Sequence, residues 1–146
     1  MKMEHIFDQA PMAGTAAKVR VADTSRPSYQ AYQILRVAFI IAPVVMGLDK
    51  FLGLLANWDR YLPAFVNNIL GGHVHEFFYV VGIIEIIAGI GVIFKPKIFG
   101  YVVAAWLALI IVNLLLIPGY FDVALRDFGL LLAALALGRL SQEYSN

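Results

Sequence analysis

The chain contains no cysteine. Disulfides, thiolate nucleophiles, thiolate metal sites and dithiol redox relays are excluded, so any electron carrier would need other ligands. Charge is also scarce: 14% of the 146 residues are Asp, Glu, Lys or Arg, against roughly 25% in ordinary soluble domains. The net charge of +1 leaves no basic surplus to attract a phosphate backbone, and nucleic acid is not an expected partner. No nucleotide-binding loop and no Ser/His/Asp set is apparent, and no histidine falls at the middle of an apolar run where it could ligate a haem. A self-contained enzyme is hard to build from what remains.

Apolar side chain is what the sequence has in excess. Hydrophobic residues make up 61% of it, where soluble domains run at roughly 45–50%. A soluble domain of this size could not hide so much apolar surface, and large exposed patches drive association. The composition points to a protein dissolved in lipid, with membrane lipids as its first partners.

Four apolar runs carry that excess: about Tyr29 to Leu48, His75 to Phe94, Ile98 to Ile117 and Asp122 to Leu140. Each is about 20 residues, enough at 1.5 Å per residue to cross a ~30 Å hydrocarbon core. Backbone groups in lipid need internal partners, so the runs are expected to be helices. The punctuation agrees. Lys95-Pro96-Lys97 is a tight polar turn, Pro118-Gly119 ends the third run, and Asp122 is placed to cap the fourth. Residues 1–28 are polar, lack the basic start and apolar core of a signal peptide, and read as a tail without a packed core. The expected organisation is therefore a polar N-terminal tail over 1–28, a four-helix transmembrane domain over 29–141 and a short C-terminal tail over 142–146. The expected fold is all-α, an integral membrane four-helix antiparallel bundle.

The first loop is long and not plainly polar. After Pro63, the residues Phe65, Val66, Ile69 and Leu70 recur at helical spacing, and Trp58 and Tyr61 favour a membrane interface. A short interfacial helix is expected there, with an irregular loop packed over the helix ends as the alternative. Basic residues set the orientation. Lys2, Lys18, Arg20, Arg26, Arg36, Lys95, Lys97 and Arg139 fall on the side of the termini, against Lys50, Arg60 and Arg126 on the other. Both termini are expected in the cytoplasm.

Small residues at four-residue spacing mark packing faces: Gly100, Ala104 and Ala108 on the third run, and Gly129 with Ala133 and Ala134 with Gly138 on the fourth. On the first run Arg36, Ile40, Pro43, Gly47 and Lys50 form one stripe, and Gly82 and Gly89 share a face with Glu85 on the second.

Glu85 is the sharpest chemical feature. A carboxyl at mid-membrane is costly and should face the bundle interior, paired or protonated. It reads either as a proton-handling group or hydrogen-bond partner for a quinone or lipid headgroup, or as half of a buried ion pair that fixes helix register. Arg126 is its expected partner. Asp49, Lys50, Asn113, Asp122 and Asp127 lie near the same end of the bundle, where they form either a polar pocket or a clamp on the helix ends. His73 and His75 invite a metal, but residues two apart diverge on a helix and further ligands would have to come from elsewhere. As interfacial residues capping the second helix they need no metal.

From about Tyr32 to Ser141 the chain resembles the DoxX-like family of small four-helix bacterial membrane proteins. The matching stretches are Leu35-Arg36, Gly47-Leu48-Asp49-Lys50-Phe51, Val81-Gly82-Ile83-Ile84-Glu85 with Gly89, Tyr101 to Leu107, and Ala124-Leu125-Arg126-Asp127-Phe128-Gly129-Leu130. The charged positions Arg36, Lys50, Glu85, Arg126 and Asp127 give the match its specificity. The resemblance implies a four-helix bundle in the bacterial inner membrane, serving as an accessory subunit of a respiratory or other redox complex, with other protein subunits as partners. No covalently bound cofactor is expected. The tail, outside the resemblance, reads as a docking segment. The alternative is a stand-alone binder or carrier of a small hydrophobic molecule, quinone or lipid, using the polar residues around Glu85 and Arg126.

Overall fold

Backbone chemistry sets the helix limits. The computed structural model describes residues 23–145; most of the predicted tail lies outside them. The first helix, α1 (Pro27–Leu52), opens on Pro27, whose fixed φ suits a first helical turn. It closes at Gly53, which takes the left-handed conformation (φ 61°) and donates its N–H to the Asp49 carbonyl at 2.6 Å. A 3-10 turn at Trp58–Tyr61 and a short helix, α2 (Ala64–Leu70), fill the first loop. Then come α3 (Val74–Phe94), α4 (Pro96–Leu115) and α5 (Phe121–Tyr144).

The short helix predicted after Pro63 is present, with Phe65 and Ile69 exposed. Several boundaries differ from the sequence reading, beginning with α1, which starts at Pro27 and not Tyr29. The first helix runs to Leu52 because Asp49 and Lys50 are buried in its last turn. The last helix runs to Tyr144, so the predicted 142–146 tail is mostly helix. Its end is held by the Tyr144 ring against Tyr29 and Tyr32, by the Tyr144 hydroxyl 2.6 Å from the Ser28 hydroxyl, and by Arg26 on Glu143 at 3.2 Å. Asp122 does not cap α5: Tyr120 occupies that position, without a side-chain bond, and Asp122 sits inside the first turn. A negative charge there still favours the positive end of the helix dipole.

The four long helices form a ring. The extensive contacts are α1 with α3 and α4 with α5, and the α1–α5 and α3–α4 contacts close it. The α1–α3 pair is antiparallel and reaches backbone contact. A Cβ added to Gly47 would lie 2.6 Å from the Gly82 carbonyl, and one added to Gly82 would lie 2.6 Å from the Gly47 carbonyl. Gly89 meets the Ile40 carbonyl and Val44, and Arg36 donates to the Ile93 carbonyl at 2.5 Å. Four of the five residues of the predicted stripe, Arg36, Ile40, Gly47 and Lys50, thus meet α3. On the other pair, Gly100 packs on Gly138 and Ala134. Gly129 breaks the predicted pattern: a Cβ there would meet nothing within 4 Å, because this part of α5 faces outward.

Large apolar side chains cover the outside of the bundle, among them Ile34, Ile83, Leu109 and Leu125. Three helices, α1, α3 and α4, are long and apolar enough to cross a membrane. The fourth long helix, α5, has 24 residues but carries Asp122, Arg126, Asp127, Arg139 and Glu143.

Candidate functional site

The site begins with a carboxylate that folds the first loop. Asp49 Oδ1 accepts the N–H groups of Leu54 (2.8 Å) and Leu55 (2.9 Å), and Oδ2 accepts the Ala56 N–H (3.2 Å) and the Trp58 indole N–H (3.0 Å). A carboxylate holding several loop donors is a strong local organiser. By fixing Trp58 it lays the indole ring over the neighbouring lysine, with Lys50 Nζ 3.7 Å from the ring centroid.

Lys50 does not turn to solvent. Its ammonium reaches Glu85 Oε2 at 2.6 Å, with the two side chains only 3% and 9% exposed. The close approach of α1 to α3 at Gly47 and Gly82 makes this possible, since a side chain at residue 82 would crowd the Lys50 Cβ at 3.2 Å. The second oxygen of Glu85 accepts the Trp106 indole N–H from α4 at 3.4 Å. A continuous polar chain therefore runs from Asp49 through Trp58, Lys50 and Glu85 to Trp106 inside an apolar bundle. Beside it opens a cleft of about 350 Å³ between the first loop and the start of α3. Lys50, Phe51, Trp58 and Tyr79 line it together with the polar Asn57, Asp59 and His75. Phe51 and Tyr79 stack at 5.0 Å within that wall.

The predicted partnership of Glu85 with Arg126 is not what forms. Arg126 Nε donates to the adjacent Asp127 at 3.2 Å; its side chain is 63% exposed, and that of Asp127 is 8% exposed. The ring order explains this, since α3 lies beside α1 and α4 while α5 lies beside α4 and α1. Asn113 is at the loop end, but it donates to the Tyr61 carbonyl at 2.6 Å and ties α4 to the loop rather than joining the ion pair. Arg36 holds the last turn of α3 at the opposite end, so it does not belong to the cluster. The predicted polar positions thus separate: Asp49, Lys50 and Glu85 meet, Asn113 clamps the loop above them, Arg126 and Asp127 form their own pair, Asp122 is exposed in the first turn of α5, and Arg36 lies apart.

His73 and His75 are exposed and approach different carboxylates, Glu76 at 3.5 Å and Asp59 at 4.0 Å. Among the described residues no group of three metal-ligating side chains gathers. The reading from sequence missed both indoles as site members. Trp58 stood out only as an interfacial type. Trp106 sits on a helix that is apolar all round, and its one signal was an indole N–H donor in an apolar run, where it needs an acceptor.

Among the described residues the architecture is all-helical, with three helices fit to cross a membrane. No family model, no curated protein and no solved structure matches the chain.

Proposed function

We propose that the chain is an integral membrane four-helix protein that binds the polar head of a small hydrophobic molecule, a quinone or lipid, over the Lys50–Glu85 pair. In this reading α5 crosses the bilayer with the other three long helices, both termini face the cytoplasm of a bacterial inner membrane, and α2 lies at the opposite interface. The observation that carries it is the buried 2.6 Å ion pair whose lysine lines an open cleft. An ammonium has three donors, and Glu85 engages one. Carbonyl or ester oxygens entering the cleft accept from the rest, while the Trp58 and Phe51 rings cover the apolar part of the head.

Purification from native membranes in mild detergent, followed by solvent extraction and mass spectrometry, tests it. The expected result is a quinone or lipid retained by the wild type and depleted in Lys50→Met. Equal retention by both excludes the pocket. The resemblance in the charged positions favours a second reading, an accessory subunit of a respiratory or other redox complex. Co-purification of a large assembly in the same experiment supports it, and a particle free of other subunits opposes it.

A further inference from the structure

The outward face of α5 is a poor lipid surface. Leu125, Arg126, Gly129, Leu132 and Ala136 are all exposed on it. Every other helical glycine among the described residues has a neighbouring atom within about 3 Å of an added Cβ; Gly129 has none within 4 Å. Arg126 lies a turn and a half into the helix with most of its side chain outside the bundle. Its Nε is held by Asp127, and among the described residues its two terminal nitrogens make no hydrogen bond. One turn earlier on the same face stands Asp122, exposed and equally without a partner among the described residues. A guanidinium fork and an unpaired carboxylate one turn apart complement themselves under a two-fold rotation.

We propose that this face is the contact surface for a second copy of the chain. Two copies in one membrane share an orientation, so their α5 helices run parallel about a two-fold axis along the membrane normal. Gly129 lets the two backbones approach. Helical side chains lean toward the N-terminus, so Arg126 of each copy reaches back to the level of Asp122 on the other, giving two reciprocal ion pairs. The inference rests on α5 crossing the bilayer.

The absence of native cysteine makes a single-cysteine test direct. Gly129→Cys fits the open space and is expected to give, on mild oxidation in native membranes, a cross-linked species of twice the 16.1 kDa chain mass. Leu109→Cys, on the exposed side of α4, is expected to stay monomeric. Adding Asp122→Lys to Gly129→Cys is expected to cut cross-linking about tenfold by setting like charges together, without removing a hydrogen bond or ion pair inside the protomer. A monomer with Gly129→Cys overturns the proposal. So does a cross-link to a different protein, which would assign this face to another subunit. Labelling a cysteine at residue 145 from outside intact cells tests the crossing of α5 separately. Labelling there would take α5 out of the bilayer and leave three crossings, whatever the cross-linking gives.

Discussion

Lys50 sits in the last turn of α1, where a long basic arm usually bends outward to water. It turns inward because Glu85 waits one helix away, Gly82 leaves room for its stem, and Trp58 covers its ammonium. Two charges taken out of water are costly, and their attraction offsets that cost only while both are present. Lys50→Met or Glu85→Gln alone is therefore expected to lower stability by about 3–5 kcal/mol. The double variant Lys50→Met/Glu85→Met is expected to recover most of that, as read by unfolding in detergent. Neutral single variants would mean that water reaches the pair.

Helix packing is set by glycines where backbones touch. Gly47→Ala or Gly82→Ala puts a methyl against a carbonyl oxygen at 2.6 Å and is expected to cost about 1–3 kcal/mol. Gly129→Ala, with open space around it, is expected to keep stability or gain about 0.5–1 kcal/mol in a dispersing detergent. Denaturation of the three variants side by side checks the contrast. The helices themselves were legible in the sequence because run length, Pro96 and Pro118-Gly119 are local signals. The α3-facing stripe of α1 was legible too, since 3.6-residue periodicity defines a face. Periodicity does not say which helix that face meets. That is why Arg126 was assigned to Glu85 although α5 lies across the ring from α3. Nor does it mark a face on α4, which is apolar on every side, so Trp106 carried no signal of pointing inward.

At the scale of the whole molecule, the account requires four crossings and one ligand site near the end of the bundle away from the termini. Single cysteines at residues 97 and 145 are expected to resist a membrane-impermeant maleimide in intact cells. Cysteines at 59 and 119 are expected to react. A reactive residue 145 would leave α5 on the surface and reduce the crossings to the three apolar helices. The ligand site can be read without any label. The chain has two tryptophans, and both belong to the site: Trp58 over Lys50 and Trp106 on Glu85. Titration of the detergent-solubilised protein with a short-chain quinone, followed by tryptophan fluorescence, therefore tests the central claim most directly. The account predicts saturable quenching, with an apparent Kd raised about tenfold or more in Lys50→Met, since hydrogen bonds to charged groups contribute about 1.5–3 kcal/mol. Linear quenching identical in wild type and variant would contradict it.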